Sequence, residues 1–78
     1  IGMSIAANKH TGIRAALCYD THTAQLAREH NDANVLCLGQ RLLSLDEALA
    51  ITDTFLSFSF LGKHHKTRVD MLETYAKL

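Results

Sequence analysis

Ile13-Arg14-Ala15-Ala16-Leu17-Cys18, the Tyr19-Asp20 pair and Val35-Leu36-Cys37-Leu38 decide the fold of this chain. Both runs are short and mostly apolar, the pattern of strands buried on both faces of a parallel sheet. Between them, Asp20 is a good N-cap for a helix over about Thr21 to His30, and Asn31-Asp32 breaks that helix before Asn34 leads into the second run. Strand, helix, strand is one βαβ unit, a connection that is right-handed in nearly all cases.

Outward from this unit the pattern is helical. Met3 to about Lys9 reads as a short helix stopping near Thr11-Gly12. Ser44-Leu45-Asp46-Glu47 is a capping box, and the helix after it carries Leu45, Ala48, Leu49, Thr52, Phe55 and Leu56 as one apolar stripe. Phe58 to Gly62 is irregular. A last helix runs from about His64, with Val69, Leu72 and Ala76 on its apolar side. The expected order is helix, strand, helix, strand, helix, helix, an α/β class.

Seventy-eight residues make one small domain at most, and a domain of that size buries only about 60% of its unfolded surface. Two strands are also too few for a stable sheet. The opening Ile1-Gly2-Met3-Ser4-Ile5-Ala6-Ala7-Asn8-Lys9 reads as the back of an anion-binding turn handing over to its helix. We therefore expect residues 1–78 to be the C-terminal part of a longer domain, with strands preceding Ile1.

Eight basic and eight acidic residues cancel, which argues against nucleic acid or an anionic lipid surface as a partner. The longest apolar run is far too short to span a bilayer. Cys18 and Cys37 lie inside the apolar runs and form no CxxC, so both are expected as buried free thiols in a reducing, cytoplasmic setting. The five histidines show neither HExxH nor Cys/His pairs at zinc spacing, and adjacent His64 and His65 should point to different sides of a helix. No metal site is expected.

Three places could carry chemistry. His30-Asn31 closes a helix, where imidazole could serve as an acid or base near neutral pH and the amide could hold sugar hydroxyls. A histidine at a helix C-terminus is equally an ordinary response to the helix dipole, and spacing alone favours that view. Arg41 follows the carboxyl end of the second run, where open parallel sheets place ligands, and its guanidinium suits a phosphate. Taken alone, it is more simply a surface arginine. His64 and Arg68, four apart, could clamp a phosphate near a helix N-terminus or merely form a solvated basic start.

Ile1-Gly2-Met3-Ser4-Ile5-Ala6-Ala7-Asn8-Lys9, Gly12-Ile13-Arg14-Ala15, Ala24-Gln25-Leu26-Ala27-Arg28-Glu29-His30-Asn31-Asp32-Ala33-Asn34-Val35 and Arg68-Val69 together resemble the type B ribose-5-phosphate isomerases. That family also includes galactose-6-phosphate and allose-6-phosphate isomerases. The resemblance runs nearly end to end in this chain and covers about the C-terminal half of a typical member. It implies a flavodoxin-like α/β/α domain with a parallel sheet, cytoplasmic, working without metal or organic cofactor. It further implies a dimer or dimer of dimers whose active sites draw on both subunits, with Val69, Leu72, Tyr75 and Leu78 suited to that exchange.

The implied reaction interconverts ribose 5-phosphate and ribulose 5-phosphate through an enediolate, with the hexose 6-phosphates as alternative substrates. A fragment serving only as a binding or assembly module is the reading from another class. By resemblance His30 opens the sugar ring, Asn31 holds hydroxyls, Arg41 and Arg68 bind phosphate, and Gly2 ends the loop whose amides stabilise the enediolate. The base is implied to be a cysteine just before the position of Ile1, and neither Cys18 nor Cys37 matches it. His64 stands where many relatives have a second phosphate-binding arginine. A histidine's charge depends on pH near neutrality, so phosphate affinity is expected to fall as pH rises, unless Lys63 or Lys66 compensates.

Overall fold

The computed structural model describes residues 1–76. Its elements are α1 (Gly2–Ala7), β1 (Ala15–Leu17), α2 (Thr21–Asn31), β2 (Val35–Cys37), α3 (Leu45–Ser57) and α4 (His64–Ala76), in the expected order. β1 and β2 are parallel, with Ala15 opposite Val35, Ala16 opposite Leu36 and Leu17 opposite Cys37. The Cys18 N–H donates to the Cys37 carbonyl at 3.2 Å and extends the ladder by one bond.

The caps read from the sequence are present. Asp20 accepts from the Thr23 N–H at 2.7 Å and starts α2. Ser44 Oγ accepts from the Glu47 N–H at 3.1 Å, while the Glu47 carboxylate takes the Ser44 N–H at 3.0 Å. Each bond occupies an amide that helix geometry leaves without a partner. α2 ends at Asp32, which takes a left-handed conformation (φ 49°) and turns the chain toward β2.

The core lies between the sheet and the α2–α3 pair. Cys18, Ala24, Ala27, Ala33, Ile51 and Phe55 are buried there, with Ala16, Leu36, Leu38 and Leu43 packed against them. Alternate strand residues thus face α2 and α3, and the period of two assigns Ala15, Leu17, Val35 and Cys37 to the other face. The short α1 lies against that second face.

Four expectations need correcting. The strands are only half-buried rather than buried on both faces, because six-residue α1 is too small to cover the second one. Cys37 is accordingly half-buried, while Cys18 is buried as expected and both thiols are free. α1 stops at Ala7, short of Lys9, with Asn8 as its C-cap, still helical in backbone while its side chain turns to the sheet. Its Oδ1 accepts from the Ala15 N–H at 2.7 Å and its Nδ2 donates to the Ala15 carbonyl at 3.0 Å.

The remaining two corrections concern helix faces. α3 buries Ile51 and Phe55, whereas Leu45 and Leu56, each 74% exposed, and Leu49 stay in solvent. A stripe defined by leucines spans two faces of α3, and α2 packs on the one centred on Ile51. In α4, Val69 is buried but Leu72 is 49% exposed. The side chains of Tyr75 and Ala76 and all of Leu78 lie outside the described residues. No helix among the described residues is long and apolar enough to cross a membrane.

Candidate active site

Two arginines and two asparagines build the edge of the sheet at which the strands begin. Asn34 Oδ1 accepts from the Arg14 N–H and its Nδ2 donates to the Gly12 carbonyl, both at 2.8 Å. Asn34 thereby ties the entries of the two strands together, and Asn8 holds β1 one residue further on. Arg14 sends its guanidinium to the Asp32 carbonyl (2.7 Å) and to the carboxylate of Glu73 on α4. Glu73 also accepts from the Gly12 N–H at 3.2 Å. This network pins α4 across the start of β1.

Arg28 does the same for the other end of α4's approach. Its Nε donates to the Phe58 carbonyl at 3.0 Å and a terminal nitrogen to the Ala33 carbonyl at 2.7 Å, while its guanidinium sits 5.1 Å over the Phe55 ring. The Leu61 N–H donates to the Glu29 carbonyl at 3.0 Å. The loop after α3 is therefore tied to the last turn of α2, and α4 starts beside His30.

There the imidazoles gather. The His65 ring is stacked on the His30 ring, with centroids 4.2 Å apart and planes within 13°. His64 lies against His65 at 4.0 Å, tilted by 43°. The expectation that His64 and His65 point apart is thus overturned. These are the first two residues of α4, where no preceding turn restricts their rotamers. Arg68, one turn after His64, acts electrostatically on His65. Burial first, then the charges of His64, His30 and Arg68, push the His65 imidazole below the ordinary histidine value.

Asn31 follows His30 in the chain but opens elsewhere, on a groove of about 300 Å³ lined also by Asn8, Arg14, Ala27, Leu72 and Glu73. Lys66 is paired with Asp70 at 2.8 Å on the exposed side of α4. Among the described residues, no group of three or more His, Cys, Asp or Glu side chains gathers as metal ligands would.

The remaining candidates stand at the opposite edge. The chain runs from Asn34, beside Arg14, through β2 to Leu38, a rise of about 13 Å, and only then turns through Gly39 to exposed Arg41. α1 is anchored to the start of β1 through Asn8 at its C-terminal end, so Gly2 at its N-terminal end lies toward the same far edge as Arg41. The structure therefore gathers His30 and His64 around His65, with Arg68 one turn along α4, opens Asn31 onto a different groove, and separates these residues from Gly2 and Arg41. His65, Arg14 and Arg28 were missed by sequence reasoning. An adjacent His-His pair was the available signal for His65; the arginines carried none beyond their charge.

Cys18 is a poor acid or base. Burial is the main cause that raises its thiol above the ordinary value, with the Asp20 and Cys37 charges adding to it and a Thr23 hydrogen bond opposing.

Comparison with known proteins finds relatives along nearly the whole chain. A family model described as Ribose/Galactose Isomerase matches residues 1–72. Ribose-5-phosphate isomerase B of Escherichia coli is 46% identical over 92% of this chain and 48% of its own length. A probable ribose-5-phosphate isomerase B of Mycoplasma pneumoniae is 47% identical over 99% of this chain and 51% of its own. Among solved structures, ribose-5-phosphate isomerase B of Clostridium thermocellum superposes with a TM-score of 0.97 at 52% identity, over 99% of this chain and 52% of its own. The Anaplasma phagocytophilum enzyme gives 0.90 at 57% identity, over 92% and 50%.

The chain spans about half the length of the curated relatives it matches. Its two parallel strands and four helices, counted among the described residues, are a part of the flavodoxin-like α/β/α fold of those structures. With the model matched over residues 1–72, this chain belongs to the ribose/galactose isomerase family.

Proposed function

We propose that the protein carrying this chain interconverts ribose 5-phosphate and ribulose 5-phosphate. Proton transfer between neighbouring carbons needs an acid to open the sugar ring, a base, donors for the enediolate oxygen and an anchor for the phosphate. The observation that carries the reading is the grouping of His30 with His64 and Arg68 at the start of α4. The His30 ring is joined through His65 to the turn of α4 that carries His64 and Arg68, two side chains about one helical turn apart that suit a phosphate.

In this reading His30 protonates the ring oxygen and Asn31 holds hydroxyls, while His64 and Arg68 take the phosphate. Gly2 contributes a backbone amide to the enediolate cradle, and Arg41 a further anchor. Cys18 is not offered as the base, because it is buried with its thiol pushed above the ordinary value. The edge-to-edge separation of Gly2 and Arg41 from the His30 group supports a site completed by two copies of the chain. A dimer or dimer of dimers is therefore part of the proposal. So is a cytoplasmic setting, which two free thiols suit.

Turnover assays on the whole protein test this directly. Ribose 5-phosphate should be converted faster than allose or galactose 6-phosphate, and His30→Ala should abolish conversion. Faster turnover of a hexose phosphate would reassign the substrate. No turnover of any of the three would leave a binding or assembly role.

A further inference from the structure

Resting on the proposed isomerase reading, we infer that His65 is the positioning residue of His30: its imidazole lies flat against the His30 ring and fixes the direction in which that ring presents its nitrogens. The two rings belong to different helices, His30 to the last turn of α2 and His65 to the first turn of α4. Their centroids are 4.2 Å apart and their planes 13° from parallel, which is face-to-face contact. No side-chain hydrogen bond to either ring is formed among the described residues, so the stacked face is the contact that orients His30.

An acid acting on a ring oxygen needs its N–H aimed to within tens of degrees, and His30 has two free torsions with which to miss. A half-buried flat neighbour removes most of that freedom. The contact also works at neutral pH. The charged groups facing His65 are His30 from α2 and His64 and Arg68 from its own helix, all of them cationic when charged. Glu29, the acidic residue nearest in α2, is turned onto Gln25 at 3.0 Å. His65 is therefore held toward its uncharged form and can lie against a protonated His30 without repulsion. His64, packed on the other part of His65 at 4.0 Å, limits its rotation in turn.

Three side chains at this position test the inference in the whole protein with ribose 5-phosphate. His65→Ala removes the flat face, and kcat should fall about tenfold or more through misorientation while KM stays within about twofold. His65→Phe restores a flat ring without a titrating group, and it should recover most of the lost kcat. A role in stability alone would lower the folded fraction and leave kcat per folded molecule unchanged in both variants. Full activity of His65→Ala, or equal loss in both variants, overturns the inference.

The ring-proton resonances of His30 supply a readout that needs no turnover. They should move and broaden in His65→Ala and stay sharp in His65→Phe. Unchanged His30 resonances in His65→Ala overturn the inference even if the wild-type protein proves inactive on ribose 5-phosphate. Inactive wild type with moved resonances retires the isomerase reading and keeps the positioning of His30 by His65.

Discussion

Arg14 and Glu73 stand 59 residues apart in sequence and form an ion pair in which both side chains are mostly buried. The pair joins the first residue ahead of β1 to the third turn of α4, and the Asp32 carbonyl and the Gly12 N–H complete it. Through it the rigid entry of the sheet sets where α4 lies, and with it His64, His65 and Arg68.

Removing Arg14 leaves the mostly buried Glu73 carboxylate without its counterpart, and removing Glu73 leaves Arg14 only the more distant Asp32 carboxylate at 3.4 Å. Arg14→Ala and Glu73→Gln should each cost about 1–3 kcal/mol in urea unfolding. A double-mutant cycle should return a coupling of about 1 kcal/mol or more. Faster amide exchange should appear in α4 and leave α3 unaffected, since α3 packs on α2.

The burial pattern of α3 separates two faces that are equally apolar in sequence. Ile51→Ala should cost about 2–5 kcal/mol, because Ile51 is 1% exposed. Leu45→Glu and Leu56→Glu should each change monomer stability by no more than about 0.5 kcal/mol. Chemical denaturation of the three variants checks the assignment, and a large loss in the leucine variants would contradict it.

Stability should fall on acidification through His65. Burial and the neighbouring charges lower the folded value of this imidazole. Between that lowered value and the unfolded value of about 6.5, the unfolded chain therefore binds more protons. The penalty is absent above pH about 6.5, grows as pH falls through the window and is complete below the folded value. The urea midpoint should thus drop between pH 7.5 and 5.5, and His65→Phe should flatten part of that drop.

A Cβ placed on Gly2 would meet nothing within 4 Å. The fold makes no demand for glycine there, and Gly2→Ala should leave the melting temperature unchanged or slightly raised. If the Gly2 amide lies against the enediolate, the same variant should lower kcat by about tenfold or more. Paired melting and turnover measurements separate the two effects.

His64→Arg should lower KM for the sugar phosphate, because a guanidinium grips phosphate through two parallel bonds where an imidazole offers one. Michaelis constants measured for both proteins supply the check.

Local chemistry made much of this structure legible in advance. Asp20 and the Ser44–Glu47 box announce their helices because a cap is a contact between neighbours in sequence. Element order followed from the two apolar runs and their spacing. The face buried by α3 could not be read, since leucines at Leu45, Leu49 and Leu56 look identical to core leucines until α2 is seen to pack on Ile51. The bond from Asn8, at the early end of α1, to Ala15 joins two elements. The stacking of His65 on His30 joins two helices 35 positions apart and depends on how Arg28 and Arg14 seat α4. Of the candidate site, His30, His64 and Arg68 were legible as a group through resemblance, while their distance from Arg41 required the direction of β2.

That distance has a genetic consequence. Where two copies of the chain pair so that the His30 edge of one meets the Arg41 edge of the other, damage to the two edges falls on different sites. A protein carrying His30→Ala and a protein carrying Arg41→Ala would each be impaired at every site. Co-expressed, they would form mixed assemblies in which one class of site receives both intact edges and the other receives both lesions. Activity would return toward one working site per mixed pair, so two defective alleles would complement each other within a single cell.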